Sequence, residues 1–427
     1  MATERIQPRP YVKLLLLAGL VGFVGAGITF AFMWVVQEAA HLIWASAEDG
    51  SDVWRPIFTV LICAVAGIIV GVLVKVFGDH SGIFAELMQD FGRTGRFKYR
   101  QAPGMVVTSF VSLAAGGSLG PEAPMADACG SVATWTADRL KMDERSTRSL
   151  GFSGIGGMLG AFVTSPFSGA LLGLESARAA ISFPWVLFPS LVAAAVSTTT
   201  FVLLSGAFFG SLYVFPEYTP HLTDLVLAVP LGLMGAAAGA AFILLFRVLR
   251  KLMEPMRKHL ILRGLLGGLG LGIAGAFFPL VLFSGEEQTG TLITDAATIG
   301  IVTLIVLAVL KLVVTSLLLT TGWKGGYIFP TMFAGVALGL ATHLIFPSIP
   351  MAVAVAATMA GAMVATMKAP LFSALFTAML VQREAGPVIA IAVIVGLLAT
   401  ARLSMLLPPP VHPVEVNEAE AGPSPGE

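Results

Sequence analysis

The 427-residue chain carries 25 Lys and Arg against 25 Asp and Glu, a formal net charge of zero. Hydrophobic residues make up 56% of it, charged residues only 12%, and the mean hydropathy is +0.88. Such a chain cannot clothe a soluble domain, whose composition is about a quarter charged, and its neutrality gives no electrostatic case for binding nucleic acid. It reads as an integral membrane protein.

In chain order, Arg5, Arg9 and Lys13 precede the first uncharged run, Leu14 to Gln37. This predicts a retained first helix and a cytoplasmic N-terminus, residues 1–11, in the cell (inner) membrane. Ile57 to Val74 follows, then the basic stretch "RTGRFKYR", Arg93 to Arg100, a second cytoplasmic segment by the same rule. Further runs extend over Ala102 to Pro121, Ser149 to Leu174, Ala179 to Pro216, Leu225 to Phe246, Gly264 to Gly285 and Gly325 to Met367. A spanning helix needs about 20 residues, so Ala179 to Pro216 and Gly325 to Met367 are each expected to hold two membrane segments. Roughly a dozen or more embedded segments are predicted, some short or broken. Cys63 and Cys129 lie in apolar stretches and read as small core residues. The proline-rich, acidic tail, residues 408–427, has no periodicity and is expected to be disordered.

Two halves share landmarks. "VVTS" occurs at Val106 to Ser109 and again at Val313 to Ser316, an offset of 313 − 106 = 207. Each copy leads into a glycine-rich break ending in proline, "GGSLGPEAP" and "GWKGGYIFP", with Pro124 and Pro330 offset by 330 − 124 = 206. "TSPFSGALL" and "KAPLFSALF" place Pro166 and Pro370 at 370 − 166 = 204. Matching order and spacing predict two related membrane halves, 12–212 and 223–407. A helix broken at membrane depth is tolerated only where protein or a water-lined cavity satisfies its backbone. Paired breaks in two halves point to a transport site near the midplane, and helix N-termini favour anions there. The first break contains Glu122, a carboxylate costing at least about 2.5–3.5 kcal/mol at mid-bilayer unless matched. Intramembrane acids are functional by default, and the N-terminal amides that match Glu122 are those that would hold a permeating anion.

"GPEAP" (Gly120 to Pro124), "GYIFP" (Gly326 to Pro330) and "HSGIF" (His80 to Phe84) resemble, in order, the gating-glutamate motif, a second anion-binding helix start and the serine loop of the CLC chloride channel and transporter family. The similarity runs from about residue 12 to about 405 and is closest to the small bacterial branch named for ion transport. The resemblance implies an all-α polytopic fold of two inverted halves with broken helices, a homodimer with one pathway per subunit, and transport of chloride or a similar anion. It also implies a gate at Glu122 and anion contacts from Ser81, Gly120, Tyr327 and Ile328, with no cofactor or metal. Fluoride-exporting relatives tend to replace the pathway serine, whereas Ser81 is retained.

Departures from the family pattern bear on mechanism. Pro121 and Ala123 flank the glutamate where the family has a basic residue and a glycine. Ser176 follows Glu175 where transporters often carry a second glutamate, and no tyrosine stands near the C-terminal end, where His412 falls instead. Channel-like or weakly proton-coupled conduction is therefore the expectation, with proton/chloride antiport and then fluoride export as alternatives. An intramembrane enzyme is a remote one, because too few acids and histidines converge in the membrane stretches. Lys311, alone in the apolar stretch Ala296 to Trp323, is expected to snorkel. "GAAAG", Gly235 to Gly239, is expected to allow close helix packing.

Overall fold

In hydrocarbon every backbone N–H and C=O must find a partner within the protein, which leaves apolar runs like these the helix as their open-chain solution. The computed structural model describes residues 8–48, 54–79, 82–176, 182–206 and 213–405. The first half holds α1 (Pro8–Glu48), α2 (Trp54–Phe77), α3 (Phe84–Thr94), α4 (Ala102–Ala114), α5 (Glu122–Arg139), α6 (Glu144–Phe162), α7 (Pro166–Ser176) and α8 (Phe183–Ser205). The second holds α9 (Leu222–Met253), α10 (Leu260–Phe277), α11 (Glu286–Thr294), α12 (Ala296–Ile299), α13 (Ile301–Thr320), α14 (Ile328–Ile345), α15 (Met351–Met367), α16 (Pro370–Leu380) and α17 (Gly386–Ala399). Seven of the described helices are long and apolar enough to cross a membrane, and four shorter apolar helices accompany them. The protein is a multi-pass membrane protein.

The halves match element by element. Helices α5 and α14, which leave the two breaks, start 328 − 122 = 206 residues apart, and α7 and α16 start 370 − 166 = 204 apart. The sequence offsets thus correspond to equivalent helix starts in an inverted pair.

Small residues set the packing. A Cβ on Gly67 would strike the Gly264 carbonyl and one on Gly268 the Cys63 carbonyl, so α2 and α10 meet backbone to backbone. Gly235 lies against the Thr358 carbonyl and Gly239 2.7 Å from that of Ala362, measured from the Cβ each lacks, which brings α9 onto α15 as "GAAAG" predicts. Without a hydrophobic drive between helices in lipid, this close approach supplies dispersion contact instead. Outward, Leu203, Val226 and Leu398 stay exposed, as residues facing acyl chains do. Cys63 and Cys129 are buried free thiols.

One expectation needs correction. Ala179 to Pro216 yields one helix among the described residues, α8; Tyr213 to His221 is irregular chain, held where the Tyr213 hydroxyl donates to the Glu286 carbonyl at 2.7 Å. Helix α8 stops at Gly206, which takes φ +69° as its C-cap, a left-handed end that glycine accepts without a side-chain clash. Helix α1 is described from Pro8, so its first residues fall within the N-terminal segment 1–11. The tail, including His412, lies outside the described residues.

Candidate functional site

Each break opens in the same way. Past the end of α4, Gly116 takes φ +81°, and past the end of α13, Gly322 takes φ +99°, a left-handed turn that disfavours any side chain. The freed backbone groups are then claimed one by one. Gly117 N–H donates to the Ser112 carbonyl at 2.9 Å, Phe283 N–H to the Gly116 carbonyl at 2.8 Å, and the Trp44 indole to the Ala114 carbonyl at 3.2 Å. In the second break the Trp323 indole donates to the Gly264 carbonyl at 3.0 Å and Lys324 N–H to Ser112 Oγ at 3.2 Å.

The breaks then meet. Gly120 N–H donates to the Gly326 carbonyl at 2.9 Å, and Gly326 N–H donates back to the Gly120 carbonyl at 2.5 Å. A pair that exchanges both bonds in antiparallel sense is symmetric about its centre, so the crossing point of the two halves is a two-residue bridge. Two residues beyond it on each side, α5 and α14 begin.

Glu122 is the first residue of α5 and is fully buried. Its side chain turns away from its own helix to the start of α14, where Oε1 accepts the Ile328 N–H at 2.7 Å and, more loosely, the Phe329 N–H at 3.4 Å. These belong to the first N–H groups of a helix, which have no intrahelical acceptor, and the helix dipole adds partial positive charge there. Oε2 has no hydrogen-bond partner among the described residues. The carboxylate lies flat against Gly120 and Gly326, and a Cβ on either glycine would overlap it. One oxygen is held and the other only enclosed.

The expected contact residues fall differently around this point. Ile328 supplies the short donor. Tyr327 is the N-cap of α14, its ring buried against Phe242 at 5.7 Å between centroids; the second donor is Phe329, which the sequence reading did not select. The Gly120 amide is taken by Gly326, so Gly120 contributes the space that its missing side chain leaves, not a donor. Ser81 and His80 lie outside the described residues; α3, which follows them, has Ile83 as its N-cap. Pro121 adopts helical dihedrals, φ −82° and ψ −1°, immediately before Glu122.

Three further charged groups have clear partners. Lys311 does not snorkel: it is 0% exposed, and its Nζ donates to the carbonyls of Val281, Leu282 and Phe283 at 3.0, 3.2 and 2.7 Å. The ammonium caps a 3-10 turn whose carbonyls would otherwise be orphaned, and it sits 4.9 Å from the centre of the Phe333 ring. Glu175 accepts Leu371 N–H on one oxygen at 2.6 Å and Phe372 N–H on the other at 3.0 Å, a second carboxylate capping a helix start of the opposite half. Asp79 joins Arg263, at 2.5 Å, to the buried Lys324, at 3.4 Å, at the second break. These pairings span 184 and 245 residues, which no local motif announces.

Residues 66–401 match the profile of the family described as "Voltage gated chloride channel". The chain is similar to the "Putative ion-transport protein YfeO" of Escherichia coli (strain 55989 / EAEC), 27% identical over 358 residues, which cover 82% of this chain and 84% of the relative. The protein of the same name from Shigella sonnei (strain Ss046) gives the same identity and coverage. Among solved structures, the fold is similar to a slow cyanobacterial Cl⁻/H⁺ antiporter, with a TM-score of 0.80 at 21% identity over 93% of this chain and 96% of that one. It is also similar to a CLC-type fluoride/proton antiporter, with a TM-score of 0.77 at 19% identity over 94% of this chain and 98% of that one.

Proposed function

This chain belongs to the voltage gated chloride channel family, and on that premise we propose that it conducts chloride or another large monovalent anion through a pathway gated by Glu122, channel-like or with weak proton coupling. The observation that carries the proposal is the 2.7 Å bond from Ile328 N–H to Glu122 Oε1. A helix start that holds a carboxylate offers the same donors to a halide or nitrate, so side chain and permeating anion compete for one place. With the charge on Glu122 the place is taken; once the carboxyl is protonated or swings aside, the donors are free. The unpartnered Oε2 favours that movement, because only the Oε1 bonds must be given up.

In this reading Ser81, Gly120, Tyr327 and Ile328 line the anion's place, with Phe329 added. Each subunit of a homodimer in the inner membrane carries its own pathway, built from residues 12–212 and 223–407. Proton-coupled exchange is the second reading, favoured by another buried carboxylate on α5, Asp127. Purified protein in liposomes, given chloride, nitrate or fluoride gradients in turn, tests the substrate class. Chloride and nitrate are expected to pass and fluoride to lag; a marked preference for fluoride would defeat the proposal.

A further inference from the structure

Asp127 is 8% exposed and lies five residues along α5 from Glu122, about 7.5 Å at 1.5 Å per residue. It lines a cavity of ≈ 40 Å³ together with Asp90, Arg96, Lys98, Gln101 and Met105. One water needs roughly 10–15 Å³ by this measure, so the cavity has room for more than one. Its mouth is wet: the side chains of Arg96 and Lys98 are 46% and 59% exposed, and both belong to the basic loop assigned to the cytoplasmic side.

From the cavity, one face of α4 leads to the first break. Met105, Ser109 and Ser112 follow at i, i+4 and i+7 and share that face. Met105 touches the cavity, and Ser112 binds both Lys324 N–H and Gly117 N–H at the break. Ser109, between them, is 0% exposed and its hydroxyl has no hydrogen-bond partner among the described residues. A buried hydroxyl with no partner is costly, and a water resting beside it would relieve that cost.

We propose that Asp127 is a proton-binding site of the transport pathway, loaded from the cytoplasmic solution through this cavity and delivering protons along the Ser109 face of α4 to Glu122. In each transfer one O–H bond breaks and one forms: the Asp127 carboxyl releases its proton to a water or hydroxyl oxygen, is left as carboxylate, and the Glu122 carboxylate ends as the acid. This deepens the reading of Glu122 as gate and rests on it.

The charges around Asp127 are few. Lys98 faces it and is itself paired with Asp90 of α3 at 3.1 Å, while Arg96 is paired with Asp138 of α5. Gln101 and Met105 come from the start of α4. Helices α1 and α6 meet α5 at Cys129 through Gly25, Thr29 and Gly154, none of them ionisable.

The test perfuses the two faces of excised membrane patches separately, with chloride as the permeant anion and the full chain expressed. Wild-type current is expected to change several-fold with cytoplasmic pH. Asp127→Asn should abolish that dependence while the response of the remaining current to external pH persists, and Asp127→Glu should restore it. A wild-type current indifferent to cytoplasmic pH, or an Asp127→Asn current that still follows it, overturns the proposal. If Asp127→Asn does not reach the membrane, Ser109→Ala supplies the second reading, with a slowed response to a cytoplasmic pH step expected and an unchanged one counting against the route. Failure of the gate reading is distinguishable, because it appears as unchanged external-pH dependence in Glu122→Gln, a variant that leaves Asp127 intact.

Discussion

Glu122 and Glu175 are both carboxylates of the first half that accept backbone N–H groups from a helix start in the second, α14 for one and α16 for the other. They differ in how completely they are held. Glu175 has one amide on each oxygen, at 2.6 and 3.0 Å, the arrangement of a fixed cap. Glu122 places both amides on one oxygen, one short and one long, and leaves the other enclosed by two glycines with no donor. The same chemistry thus serves one carboxylate as a fastener and the other as an occupant that can be displaced. What separates structure from function here is the unused bonding capacity of a buried group, not its burial.

The contrast can be sharpened by removing fastened groups and asking whether stability or transport responds. Lys311 is the strongest fastener: Lys311→Leu strips the donor from three carbonyls, two of them buried at about 1–3 kcal/mol each. A loss of several kcal/mol is expected, seen as little folded protein in membranes and a steep fall in thermal stability in detergent. Should the protein persist at wild-type stability with altered anion selectivity, Lys311 belongs to the pathway after all. Glu175→Ala comes next, with about 0.5–2 kcal/mol expected for a lost helix cap. Its thermal stability should drop modestly while the pH dependence of anion flux per folded molecule stays put. If flux loses its pH dependence instead, Glu175 is no mere cap and the comparison with Glu122 collapses.

Much of this was legible in the sequence. A carboxylate between Pro121 and Ala123, inside an apolar run, had to be matched, and paired glycine breaks named the amides that could match it. The repeat was equally legible, since Gly116 and Gly322, 322 − 116 = 206 residues apart, adopt the same left-handed turn. The register was harder. Whether Tyr327 or Phe329 donates alongside Ile328 depends on where α14 begins to one residue, and local pattern does not define a helix end that finely. Lys311 was misread because a long side chain in an apolar stretch can reach either the interface or a buried turn. The choice was made by Val281 to Phe283, 28 to 30 residues away. Arg263 and Lys324 were hidden for the same reason, their common partner Asp79 being far off in the chain. That Ala179 to Pro216 holds one helix among the described residues, α8, shows that length and apolarity do not distinguish a second span from irregular chain such as Tyr213 to His221, tied to α11 through Tyr213.

The account turns on Glu122 competing with the permeating anion for the amides of α14, and Glu122→Gln tests this most directly. Glutamine keeps the shape and an acceptor oxygen but carries no charge, so it stands for the protonated gate. Wild-type and Glu122→Gln proteins in liposomes, under a chloride gradient with the membrane potential clamped, should be compared across external pH with proton movement recorded alongside. The wild-type flux is expected to rise as pH falls, whereas Glu122→Gln should conduct at every pH near the wild type's acidic level and move no protons. A Glu122→Gln flux that still follows pH as the wild type does, or that is absent from well-folded protein, would contradict it.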